Sequence, residues 1–220
     1  MCLAAVMRLL FALLLLVFTP ALLADEWWAW THLEIWRQSP WTAGLFMANR
    51  LDFDDGAYVQ LVSPRLKYEL NPWLDAGLGL SLLSIENTST GDRYFQGRPE
   101  VELNPKFDLT RHLRLDWRNR MEWRLNEGEN FTTHRSRHRL QLGWTLPEPA
   151  GPLTRIFINN EWLIDLHRGE WSENRLVPLG LTFKTSSHTD LDLFYMLLSH
   201  HPHDEWQTEQ VIGTYLHVRF

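Results

Sequence analysis

Six ionisable side chains stand on alternate positions of one segment: Arg114, Asp116, Arg118, Arg120, Glu122 and Arg124. Between and around them stand Leu113, Leu115, Trp117, Asn119, Met121, Trp123 and Leu125. Arg139, Glu161 and Asp165 continue the charged set on later segments, with Arg137, Arg155, Glu100 and Glu102 in matching phase. Guanidinium and carboxylate groups concentrated on one surface support two kinds of chemistry. They can lock into a buried ion-pair network, in which every charge needs a partner because an unpaired one is costly. They can also line a passage whose charge selects the solute. Arginine suits both roles, being a planar fork that grips carboxylate or phosphate through two parallel bonds. The only lysines are Lys67, Lys106 and Lys184.

A second group of reactive types lies at 199–205, where Ser199, His200, His201, Pro202, His203, Asp204 and Glu205 follow one another. Three imidazoles and two carboxylates are borderline ligands for a divalent metal, yet their spacing matches no metal motif. A serine beside histidines also suggests a lipid hydrolase. Adjacent residues of a strand point to opposite faces, so Ser199 and His200 cannot pair directly, and the base would come from His167 with Asp165. There is no G-x-S-x-G elbow. Trp171 and Trp206 near the same end could stack on a sugar. The expectation is therefore no catalytic residue, no metal and no cofactor, with the charged face as the working surface.

The elements that carry these residues are strands. In 113–125 one face is apolar except for Asn119 and the other is wholly charged, a separation only a period of two produces. Leu140, Leu142, Trp144 and Leu146 alternate with Arg139, Gln141, Gly143 and Thr145, and Ile156, Ile158, Trp162 and Ile164 alternate with Arg155, Asn159, Glu161 and Asp165. Leu74 to Leu82 and Val177 to Phe183 repeat the pattern. Near Ser63 and Pro64 the phase slips, which predicts a bulge at the proline. Connections alternate in length. Short turns are expected at 71–72, 108–111, 147–152 and 186–189, and longer loops at 52–56, 86–93, 126–133, 167–172 and 199–206. Counting back from the C-terminus gives ten strands, reaching Trp41. Residues 27–37 read as a further strand whose place in the wall is open, so ten to twelve are expected.

The chain has 220 residues and one cysteine, Cys2. Arg8, the apolar run 9–18, Pro20 and Ala24 before Asp25 read as a signal peptide over 1–24, too short in its apolar part for the ~20 residues of a spanning helix. One domain, 25–220, would follow, without cysteine and so without disulfides or a thiol nucleophile. With a net charge of −6 and no basic block, nucleic acid is not an expected partner. The final residues alternate to the end: Ile212, Thr214, Leu216, Val218 and Phe220 against Gly213, Tyr215, His217 and Arg219. A terminal aromatic on such a strand, an export signal, 12 tryptophans and alternating loop lengths predict an all-β transmembrane antiparallel barrel of the Gram-negative outer membrane. Phe220 would then be the insertion signal read by the barrel-insertion machinery, and outer-membrane lipid the surrounding partner.

The segments Ile158-Asn159-Asn160-Glu161-Trp162 and Glu173-Asn174-Arg175-Leu176, leading into Leu179-Gly180-Leu181, resemble a family of bacterial outer-membrane proteins filed only as a domain of unknown function. Trp28-Ala29-Trp30-Thr31 through Leu33-Glu34, and the strand from Trp73 to Leu80, are similar to its first hairpins. The resemblance implies a fold and a compartment and carries no catalytic residues. The expected function is a structural or narrow-transport barrel with a charged lumen. The alternatives are an outer-membrane enzyme acting on phospholipid or lipopolysaccharide, and a surface ligand-binding barrel.

Overall fold

A computed structural model describes residues 24–87, 90–201 and 205–220. The expected signal peptide, apart from Ala24, lies outside the described residues. Eleven strands follow one another: β1 (Glu26–Gln38), β2 (Trp41–Asp52), β3 (Gly56–Asn71), β4 (Leu74–Glu86), β5 (Arg93–Asp108), β6 (Leu113–Asn126), β7 (Thr132–Ala150), β8 (Leu153–Asp165), β9 (Glu170–Lys184), β10 (Thr189–His200) and β11 (Gln207–Arg219). Each pairs with the next, and β1 closes the sheet on β11. Closure satisfies the backbone groups of both edges, which lipid would not hydrate.

Three details correct the sequence reading. The barrel is not antiparallel throughout, because β1 runs parallel to β11, with Glu26 beside Val211 and Glu34 beside Arg219. Every hairpin reverses the chain, so an odd number of strands must close on one parallel pair. Residues 26–38 are therefore a full wall strand. No bulge forms at Pro64, where β3 keeps one register against β2 from Val59 to Tyr68 and the slip falls opposite Arg50 and Leu51. Val59 and Leu61 consequently face inward with Arg65, Lys67 and Glu69. Finally, β7 continues to Ala150 through an irregularity after Thr145, which shortens the expected turn at 147–152 to Gly151 and Pro152.

Alternation cannot say which face is outside; the closed sheet does. Leu78, Leu80 and Leu82 of β4 are 59%, 43% and 50% exposed, whereas Glu122 and Ser81 are wholly buried. Trp73, Phe95, Leu103, Trp117 and Trp144 extend the apolar outer surface to neighbouring strands, which therefore exceeds the patches that soluble monomers leave bare. Asn119, the polar break in this face, stands opposite His138. Its Oδ1 lies 2.8 Å from His138 Nδ1, and its Nδ2 donates to the Leu103 carbonyl at 3.3 Å, so the amide is satisfied locally.

The interior has two halves. One is charged and belongs to β3 and β5–β9. The other is an apolar cluster of Trp28, Phe157, Val177, Phe194, Met196, Leu198 and Val211, with Trp30 and Tyr215 against it. An Arg- and acid-rich lumen was expected throughout, and this apolar half is a departure from it. β10 is apolar on both faces, with Leu191, Leu193 and Leu197 on one and Phe194, Met196 and Leu198 on the other. Its alternation therefore carried no inside-outside signal. Two guanidinium groups join the halves, Arg50 with Cζ 3.8 Å and Arg175 with Cζ 4.8 Å from the Trp28 ring centre.

Candidate functional site: the charged interior

Strand register sets up the charged half. It places like against like: Glu100 opposite Glu122, Arg120 opposite Arg137, and Arg118 opposite Arg139. Directly opposed like charges repel, and the side chains resolve this along the diagonals. Arg120 reaches Glu100 at 3.0 Å and Glu102 at 2.5 Å. Arg137 bridges two carboxylates, donating to Glu122 at 2.8 Å and, through two bonds of 3.0 Å, to Glu161. Glu122 also accepts from Arg135 at 2.9 and 2.8 Å, and Glu161 accepts from Arg118 at 2.5 Å. Ser81 donates to Glu100 at 2.6 Å and sits 2.9 Å from the buried Ser63. Fork-to-carboxylate geometry of this kind is the strong form of ion pairing.

This network unites four of the nine sequence-derived candidates with others. Arg118, Arg120, Glu122 and Glu161 are members, and Arg139 stands beside them with no ion pair among the described residues. Arg114 and Asp116 pair with each other at 2.9 Å near the short-turn end. Two expectations are corrected. Arg124 lies beyond Glu122 toward the longer loops and makes no ion pair among the described residues. Asp165 does not join the network: its Oδ1 accepts the backbone N–H groups of His167 at 2.9 Å and Arg168 at 3.1 Å, capping the turn after β8. Asp165→Ala is expected to cost about 1 kcal/mol in denaturant unfolding through loss of those bonds, and to leave any conductance unchanged. Arg65 and Arg175 also belong to the interior, Arg65 at 3.3 Å from both Glu100 and Glu102, and Arg175 paired with Glu173. Their arginine type and strand phase were the only signals in the sequence.

A cavity of about 800 Å³ runs up this interior. It begins at Ser39 and Pro40 of the turn after β1, at the short-turn end, and its lining reaches Arg50 and Val59 on β2 and β3 and Arg98, Arg137 and Arg175 on the other strands. Nearer the longer loops the interior is filled: Trp28, Glu122, Leu163 and Val211 have no exposed surface. Twelve arginines and lysines against seven aspartates and glutamates line the cavity, a clear cationic excess.

The residues at the opposite rim are held in other ways. Ser199 Oγ lies 2.9 Å from Thr208 Oγ1. His200 approaches Glu209 at 3.8 Å, His201 stacks on Trp206 at 5.2 Å, and His167 stacks on Phe131 at 6.1 Å. Among the described residues, no trio of His, Cys, Asp or Glu could hold a metal ion. Pro202, His203 and Asp204 lie outside the described residues. The structure does bring Trp171 and Trp206 together, edge to face at 5.3 Å.

Among solved structures, a bacterial polysaccharide outer membrane secretin shares 10% identity at a TM-score of 0.52, over 79% of this chain and 63% of that one. An anion-selective porin from Comamonas acidovorans shares 13% identity at a TM-score of 0.42, over 83% of this chain and 54% of that one. The chain thus spans less than two thirds of either, and the first likeness is one of fold. No curated protein matches the sequence significantly. A family model matches residues 27–209, in agreement with the resemblance carried by the Asn159-Asn160-Glu161-Trp162 and Glu173-Asn174-Arg175 segments, and the chain belongs to that family, described as Protein of unknown function (DUF2490).

Proposed function

We propose that this protein is a non-enzymatic barrel of the bacterial outer membrane whose charged interior admits small anionic solutes and passes them slowly. The observation that carries the reading is the cavity of about 800 Å³ with its cationic lining, entered from the short-turn end. The exposed apolar belt fits lipid, and the alternation of short turns and longer loops supports a periplasmic short-turn end. Eleven strands also lie between the roughly eight of a filled barrel and the roughly sixteen of an open pore. The packed layer around Glu122 and Trp28 would then make the passage narrow, so that steps are small and depend on movement of that layer.

Single-channel recording of the refolded protein in a planar bilayer tests this. Small, reproducible, anion-selective steps are expected. An inserted but silent barrel, or cation-selective steps, would refute the transport reading.

Phe220 is proposed as the feature that the insertion machinery reads. It is 82% exposed, and its backbone N–H donates to the Glu34 carbonyl at 3.2 Å. Removing it is expected to change unfolding free energy by no more than about 0.5 kcal/mol, while lowering the amount of assembled barrel in cells. A loss of stability equal to the loss of assembly would show a packing role instead.

A further inference from the structure

Most guanidinium groups of the interior are partnered by carboxylates. Arg50, Arg98, Arg124, Arg139 and Arg155 are exceptions, making no ion pair within 4.0 Å among the described residues; Arg50 lies over the Trp28 ring and Arg98 donates to Gln96, while Arg139 and Arg155 stand together. Both line a side chamber of about 100 Å³ that shares Arg139, Gln141, Tyr215 and His217 with the main cavity. Arg155 lies along Gly143, its Cδ 3.5 Å from where a Cβ would stand, and its buried Nε has no acceptor. Arg139 faces Arg118 directly across the sheet.

The two carboxylates of the chamber are already engaged. Glu161 is held by Arg137 and Arg118, and Asp192 accepts from Thr182 at 2.6 Å and lies 3.2 Å from His217 Nε2. The remaining polar groups are chiefly donors. Asn159 Nδ2 donates to Gln141 Oε1 at 3.4 Å, and among the described residues the Gln141 amide hydrogens and the second Asn159 hydrogen meet no other acceptor. The rest of the wall is Arg175, which is paired with Glu173, and the apolar Trp30, Phe157, Val177, Phe194 and Met196. Arginine does not deprotonate in a protein, so two such cations beside a low-dielectric wall call for a counter-charge. A chamber of this size, a few times the ~30 Å³ share of one water, matches a single phosphate or carboxylate group.

We propose that Arg139 and Arg155, with the amides of Gln141 and Asn159, form an oxyanion subsite that takes the phosphate or carboxylate group of a small solute entering from the main cavity. The inference deepens the reading of the interior as an anion-handling surface and rests on it. Its chemistry is the fork-to-oxyanion pairing that Arg makes better than Lys. The direction of entry follows from the chamber's shared wall with the cavity that begins at the short turns.

Calorimetric titration of the refolded barrel in detergent, with inorganic phosphate and with acetate against a chloride background, tests it. Saturable binding of at least one of the two oxyanions is expected, about tenfold weaker in Arg139→Gln or Arg155→Gln and lost in the double variant. Arg139→Lys keeps the charge without the fork and should fall between. Arg168→Gln, in the exposed turn after β8, removes the same charge elsewhere and should bind as the parent does. Heat-dependent mobility on gels verifies that each variant is folded. The subsite is overturned if neither oxyanion shows saturable binding above chloride, or if the folded double variant binds as well as the parent. Conductance separates the two ideas: binding in a silent barrel keeps the subsite and removes transport, and conduction without binding does the reverse.

Discussion

Glu122→Ala is expected to destabilise the barrel by about 3–5 kcal/mol, the usual cost of removing one member of a buried ion cluster. Glu122 is wholly buried and accepts from both Arg135 and Arg137, while Arg120 approaches it at 3.6 Å. Deleting the carboxylate strands positive charge among further arginines and leaves a void. The loss is larger than for a surface ion pair, which is worth at most about 1 kcal/mol. Denaturant unfolding of the protein folded into lipid vesicles measures it. Removing Arg137 as well should cost less than the sum of the two single changes, because the second deletion relieves charge that the first left unpaired. Strict additivity, or a single-variant loss below about 1 kcal/mol, would mean that water enters and compensates the cluster.

Gly213→Ala should cost about 2–3 kcal/mol, at the upper end of ordinary overpacking. A Cβ at Gly213 would stand 1.9 Å from Phe194 Cζ, and one at Gly180 would stand 2.2 Å from Phe157 Cζ. In each case the ring lies across the strand from the glycine it covers, Phe194 opposite Gly213 and Phe157 opposite Gly180. The only open space beside either ring among the described residues is the small side chamber of about 100 Å³ that both line. Phe194 is 3% exposed, and its ring centre is 5.1 Å from that of Trp30. Against this, replacing glycine within a strand by alanine relieves the backbone entropy that glycine loses, roughly 0.5–1 kcal/mol. The clash outweighs that relief, so the substitution destabilises. Adding Phe194→Leu should recover part of the loss by opening room for the methyl group. A Gly213→Ala barrel as stable as the parent, or no recovery in the pair, would show that the glycine is there for another reason.

Both predictions depend on contacts that the chain reveals unequally. The charged face of β6 was legible because Arg114 to Arg124 and Leu113 to Leu125 separate so cleanly that only a strand can carry them. Pairing partners were not legible. Arg137 lies in phase with Arg139, yet register decides that Arg137 bridges Glu122 and Glu161 while Arg139 pairs with no carboxylate among the described residues. Asp165 shares the phase of Glu161 but sits at the last position of β8, where backbone N–H groups of the turn claim its oxygen. The glycines at 180 and 213 looked like small residues on an inward face. The rings that require them come from neighbouring strands.

Strand character, the terminal aromatic, the alternating connections and the family are properties of short segments, and the amino-acid sequence alone determined them. Side-chain alternation and turn chemistry act within a few residues, so neighbours along the chain suffice. The tertiary structure alone decided which face is outside, that eleven strands close through one parallel pair, that half of the interior is apolar, and which arginines make no ion pair among the described residues. Those are long-range outcomes. A period of two is unchanged when inside and outside are exchanged, and the parity of strands shows only when the first meets the last. An ion pair between strands exists only once closure has fixed their register.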